Sequence, residues 1–155
     1  LMTRPIDMND ERYRLCLSDL SALVQKTSAV MQSLERQQMR RFGYTPTQSF
    51  LLSSLLAEGK GGVRMGDLAL RMSLEKSTLT RICDVLEKNG LIERFPDSDD
   101  RRAVCAALTG KGKKIAEALS ADRAAFVSGI LEKLPKGHVR EVMAAFETVL
   151  DAFRQ

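Results

Sequence analysis

Five polar or basic residues crowd into one short stretch: Lys76, Ser77, Thr78, Thr80 and Arg81. Short hydroxyls and cations at the start of a helix suit the major groove of duplex DNA, where base edges offer donors and acceptors and the rims offer phosphates. A second concentration, Asp97-Ser98-Asp99-Asp100-Arg101-Arg102, mixes carboxylates with guanidinium groups. An arginine alone on a loop is conformationally free. A carboxylate two residues away, as Asp100 is from Arg102, lowers the entropy cost of aiming it. Arg94 and Arg101 have no evident orienting partner, so they are expected to contact phosphates.

The remaining reactive residues form no constellation. Cys16, Cys83, Cys105 and His138 show no CxxC or HxxxH spacing, which argues against a zinc site, and an odd cysteine count argues against a disulfide framework. Gly59-Lys60 is followed by Gly61 where a phosphate-binding loop needs Ser or Thr. No GxSxG motif or nucleophile with a neighbouring base is visible, so an enzyme is not expected, and no metal or cofactor is implied. Apolar runs are only a few residues long, and the first ten residues lack an apolar signal region; a cytoplasmic protein without a membrane partner is expected.

Charge singles out the same region. Residues 60–115 carry 12 Lys/Arg against 8 Asp/Glu, whereas the rest, out of totals of 24 and 20, carries 12 of each. The whole excess of +4 is therefore central. A basic middle between neutral arms suggests a polyanion-binding module on a neutral scaffold.

Those residues need elements to hold them. Residues 10–41 contain no Pro or Gly and place Leu20, Leu23, Val24, Thr27, Val30, Met31 and Leu34 at helical spacing. Thr45-Pro46-Thr47-Gln48 reads as a capping box opening a second helix to about Ala57. A short helix over 65–72 follows a glycine-bearing break. Ser73 is expected to cap the next helix, 74–89, with Leu79, Ile82, Cys83, Val85 and Leu86 as its buried face and Gly90 as its stop. Two helices joined by a tight turn make a helix-turn-helix. Residues 91–95 and 103–108 then read as the strands of a hairpin with a charged tip. Thr109 caps a helix to about Leu134, and after Pro135 a last helix over 136–154 carries a heptad-like stripe: Val139, Val142, Met143, Phe146, Val149, Leu150 and Phe153.

A helix-turn-helix followed at once by a hairpin is a winged helix, and several segments go further. Ser77-Thr78-Leu79-Thr80-Arg81, Leu86-Glu87-Lys88-Asn89-Gly90-Leu91-Ile92-Glu93-Arg94, the wing tip from Asp97 to Arg102, and Leu108-Thr109-Gly110-Lys111-Gly112 strongly resemble the signature of the MarR family of dimeric bacterial transcriptional regulators. The resemblance covers nearly the whole chain. It implies a mainly α fold: one MarR-type domain over 1–155, with dimerisation helices at 10–44 and 110–155 and a winged helix-turn-helix with a small β-hairpin wing at 45–109. It also implies that Arg102 enters the minor groove while Asp100 orients its guanidinium. The partners implied are double-stranded DNA and a second copy of the chain, and the function is that of a repressor on a pseudo-palindromic operator.

Two kinds of signal release such regulators. One is a small phenolic or carboxylate effector in a cleft beside the winged helix, for which Phe42, Tyr44, Phe50 and methionines are available as lining. The other is oxidation, for which Cys16, within Leu15-Cys16-Leu17, resembles the reactive cysteine of the peroxide-sensing branch. The tyrosines of that branch are absent, their stretch holding Leu20 and Val30 instead. Cys83 and Cys105 are expected to be packing residues. A constitutive DNA-binding dimer without effector stays open beside both.

Overall fold

The computed structural model describes residues 11–100, 102–135 and 137–153, and of residues 11–17, 60 and 153 the backbone alone. Two compact units, 1–48 and 49–155, divide the chain within its second helix. The first unit is built on α1 (Glu11–Phe42). On that helix Leu20, Leu23, Val24, Val30 and Met31 are all exposed. Gly43, with φ +79°, ends the helix by donating its N–H to the Met39 carbonyl at 2.9 Å.

The capping box expected at Thr45 is present. Gln48 Oε1 accepts the Thr45 N–H at 2.9 Å and Thr45 Oγ1 accepts the Gln48 N–H at 3.3 Å, opening α2 (Pro46–Glu58). In the second unit follow β1 (Val63–Arg64), α3 (Met65–Arg71), α4 (Lys76–Lys88), β2 (Ile92–Pro96), β3 (Val104–Leu108), α5 (Gly110–Leu131) and α6 (Val139–Phe153). The fold class is as expected, with one addition. The wing is a three-stranded antiparallel sheet in the order β1-β3-β2, not a bare hairpin. Val63 pairs with Ala106 and Arg64 with Cys105, while Phe95 pairs with Cys105 from the other side.

Leu51, Leu52, Leu68, Leu79, Cys83, Leu86, Leu91, Ile92 and Leu119 are fully buried and form the core of this unit. Leu79, Cys83 and Leu86 recur at four and three residues, so one stripe of α4 supplies its share. Val85 is a correction: expected on that face, it is 46% exposed and shares the outer face with Arg81, one turn before it.

The turn between α3 and α4 is a second correction. Ser73 does not cap α4; Glu75 occupies that position, without a side-chain cap bond. Ser73 instead takes φ +51° just past the end of α3, donating its N–H to the Leu70 carbonyl at 3.1 Å, while the Leu74 N–H reaches Ala69 at 2.9 Å. That pair of bonds is a Schellman closure, normally a glycine's task. Gly90 does the same after α4, with Gly90 to Glu87 at 2.8 Å and Leu91 to Leu86 at 2.9 Å.

Thr109 ties sheet, α4 and α5 together. Its Oγ1 donates to the Gly90 carbonyl at 2.7 Å and accepts the Gly112 N–H at 3.0 Å, while Lys111 Nζ donates to the Asn89 carbonyl at 2.9 Å. Gly112 is obligatory there, since a Cβ on it would lie 1.8 Å from the Leu91 carbonyl oxygen.

Candidate nucleic-acid interface

Lys76, Ser77, Thr78, Thr80 and Arg81 are all exposed on the first two turns of α4, opposite its buried stripe. No side chain caps the helix, so its first N–H groups face outward unsatisfied, the arrangement that favours phosphate oxygens. Thr80 Oγ1 donates to the Lys76 carbonyl at 2.8 Å. Its hydroxyl proton is thus used within the helix, and Thr80 meets an outside partner as an acceptor.

Carboxylates sort the basic residues into two groups. Arg64 is paired with Asp97, Arg71 with Glu58, and Arg94 with both Asp84 at 2.7 Å and Glu87 at 2.5 Å. Lys76, Arg81 and Arg102 form no ion pair with a described residue, so their charge is available to an outside anion.

Arg94 corrects the expectation that it lacks an orienting partner. Its Nε and Nη2 both donate to Glu87 Oε2, and its backbone N–H donates to Glu87 Oε1 at 3.2 Å. The guanidinium holds the Glu87 carboxyl below the usual carboxylate range, and Glu87 in turn raises the Arg94 pKa. Seven residues separate the pair, which joins the last turn of α4 to β2.

At the wing tip Asp100 Oδ1 accepts the backbone N–H of Arg102 at 3.0 Å. The bond shown orders the backbone from which Arg102 projects, rather than its guanidinium. Arg101 lies outside the described residues. The chemical centre of the tip is Asp97, which the sequence did not single out. Its Oδ1 accepts the N–H groups of Asp99 at 3.0 Å and Asp100 at 2.9 Å. Arg64 donates Nε to Oδ2 at 2.8 Å and Nη2 to Oδ1 at 2.9 Å, and the Cys105 thiol donates to Oδ2 at 3.3 Å. The arginine, followed by the backbone N–H groups, drives the Asp97 carboxyl far below its ordinary range. Asp97 could have been suspected as the acceptor at the start of a tight turn; its arginine, 33 residues upstream, had no local signal.

The Cys16 backbone lies within α1, and its side chain is outside the described residues. Cys83 and Cys105 are buried, as expected of packing residues. Burial pushes the Cys83 thiol up to about 11, and burial together with Asp97 raises that of Cys105. Among the described residues no group of three or more His, Cys, Asp or Glu is placed to hold a metal, and no described helix is long and apolar enough to cross a membrane.

A groove-sized helix with an exposed polar start, braced against a three-stranded wing, defines a winged helix-turn-helix. The MarR family model matches residues 44–104. The HTH-type transcriptional repressor MdtR of Bacillus subtilis is 33% identical over 132 residues, 81% of each chain. Among solved structures, S. aureus MepR in a DNA complex shares the fold, with TM-score 0.75 and 24% identity over 85% of this chain and 96% of that one. YusO from Bacillus subtilis gives 0.67 and 27%, covering 90% and 97%. The chain belongs to the MarR family, whose members are helix-turn-helix transcriptional regulators that bind DNA and are not enzymes.

Proposed function

We propose that the protein is a homodimeric repressor that holds a pseudo-palindromic operator through α4 and the wing and lets go when a small ligand binds. The observation that carries this reading is the sorting of charge: Lys76, Arg81 and Arg102 form no ion pair with a described residue and stand at the positions that reach DNA in a winged helix, while Arg94 is consumed as a brace. The name of MdtR, a repressor, supports the sign of regulation. Lys76, Ser77, Thr78, Thr80 and Arg81 read the major groove, Arg102 enters the minor groove, and Arg101 contacts phosphate. Random-sequence selection should return inverted half-sites about 10 base pairs apart. The logarithm of affinity should fall with the logarithm of salt by about 0.9 for each phosphate neutralised. A single unrepeated half-site or a flat salt profile defeats the reading.

The dimer rests on exposed apolar faces: Leu20, Leu23, Val24, Val30 and Met31 on α1, and Val139, Met143, Phe146 and Leu150 on α6. Side chains of this size left in water at helical spacing are an interface in search of a second copy.

For the effector, a cleft of about 540 Å³ in the second unit is lined by Leu55, Leu56, Gly59, Glu93, Ala107, Leu108 and Lys113. These are not the aromatic residues that the sequence offered. Apolar walls with a cation and a carboxylate at the rim suit a phenolic acid, whose carboxylate pairs with Lys113 and whose hydroxyl donates to Glu93. Hydroxybenzoic acids titrated against the protein–duplex complex should release the DNA, and Lys113→Gln should blunt the release. Release by hydroperoxide that disappears in Cys16→Ser would assign the signal to Cys16 instead, and indifference to both would leave a constitutive binder.

A further inference from the structure

Arg64 belongs to neither the recognition helix nor the wing tip, yet its side chain reaches the tip. Its backbone is the N-cap position of α3, with φ −59° and ψ 135°, so it stands where the sheet hands over to the helix-turn-helix. Sheet register explains its reach. Arg64 lies opposite Cys105, and Cys105 lies opposite Phe95, so the three share one face of the sheet. Asp97, two residues beyond Phe95, falls on that same face.

Asp97 then distributes the grip. One carboxylate holds the guanidinium through two bonds and the N–H groups of Asp99 and Asp100 through two more. Asp100 holds the Arg102 N–H, while Asp97 N–H to Ala103 at 3.0 Å and Ala103 N–H to Asp100 at 2.8 Å close the turn. Every link from Arg64 to the backbone of Arg102 is a hydrogen bond. Without the Arg64 side chain, Asp97 still caps the turn, but the tip is then joined to the start of α3 only through the β1–β3 pairing at the base of the wing.

We propose that Arg64 is a positioning residue for DNA binding: by clamping Asp97 through Nε and Nη2 it fixes the wing that carries Arg102 relative to the helix-turn-helix. The inference rests on the reading of Arg102 as a DNA contact. A lysine presents one point charge instead of a planar fork and should restore the role only in part.

A double-mutant cycle tests it on the full-length protein and a duplex selected by that protein from random sequence. Arg64→Gln should weaken binding about tenfold, and Arg64→Lys by an intermediate factor. In an Arg102→Ala background the same Arg64→Gln change should cost less than about twofold, because the aim of an absent side chain no longer matters. Amide exchange supplies a readout independent of DNA: Arg64→Gln should speed exchange at Asp99, Asp100 and Ala103 while leaving the α4 amides unchanged. Equal losses in both backgrounds would show that Arg64 touches DNA itself and overturn the proposal. Unchanged affinity in Arg64→Gln, with Arg102→Ala still harmful, would overturn it too. If Arg102→Ala proves harmless, the DNA-contact reading of Arg102 fails, and unchanged exchange at the three amides would then reject the clamp on its own.

Discussion

The winged-helix body and the far ends of the helices attached to it are finished in opposite ways. In the body, Leu51, Leu52, Leu68, Leu79, Leu86, Leu91 and Ile92 are sealed from water, and helix ends are closed by Schellman bonds, a capping box or the Thr109 knot. The same α5 that buries Gly112, Ala116 and Leu119 near its start exposes Val127, Ile130 and Leu131 near its end, and α6 exposes Phe146 and Leu150, each 52% accessible. The body therefore seals its core and closes most of its helix ends from within, while α4 begins uncapped and Leu70 stands in water. The distal stretches leave a run of large apolar side chains in water, the surface on which the proposed dimer rests.

That contrast breaks first at Gly112. Gly112→Ala should cost at least about 3 kcal/mol in urea unfolding, because the displaced atom is backbone and cannot swing aside. A loss within about 0.5 kcal/mol would mean the α5 junction is loose. Next, Phe146→Glu should leave far-ultraviolet circular dichroism intact and weaken self-association by about 2–3 kcal/mol in sedimentation. If dimers persist unchanged, the seam lies elsewhere.

The two Schellman turns offer a paired test of smaller size. Gly90→Ala, at φ +68°, should destabilise by about 1–2 kcal/mol, since a Cβ is disfavoured in the left-handed region. Ser73→Gly relieves the same strain and should gain about 0.5–1 kcal/mol in thermal unfolding, less what glycine costs in the unfolded chain. A destabilised Ser73→Gly would show that the serine hydroxyl matters more than its backbone angle.

The effect that vanishes at neutral pH concerns Cys83. Its folded thiol ionises near 11, whereas an unfolded cysteine ionises at about 8.5. Below the lower value both states hold the proton, and stability is full. As pH rises from there towards about 11, only the unfolded state gives up its proton, so stability declines. Cys83→Ala should flatten that alkaline slope in unfolding titrations, and an unchanged slope would place its origin in another group.

The sequence was most legible where structure is decided within a few residues. Thr45 with Gln48, Gly90 and Thr109 each announce a cap whose partners are at most four residues away or already part of a motif. Ser73 was misread because serine serves either end of a helix, and only the Leu74 to Ala69 bond shows which end it closes here. β1 escaped notice because two residues have no period, and they become a strand only by pairing with β3 more than forty residues later. In the site, the exposed side chains of α4 were legible from polarity and spacing, whereas Val85 was assigned to the wrong face because hydrophobicity alone does not fix phase. The roles of Arg64 and Arg94 depend on carboxylates brought near by the fold, so charge counting could not separate them from Arg81.

The Thr109 junction also has a mechanical meaning. Thr109 Oγ1, Lys111 Nζ and the Leu91 carbonyl against Gly112 pin the start of α5 to the end of α4. From that pivot the 22 residues of α5 extend about 33 Å. A tilt of about 5° at the pivot carries the far end through about 3 Å, and the same gearing runs backwards. A displacement applied at the distal end returns at the junction as a smaller displacement under a larger force, in the ratio of the two arms.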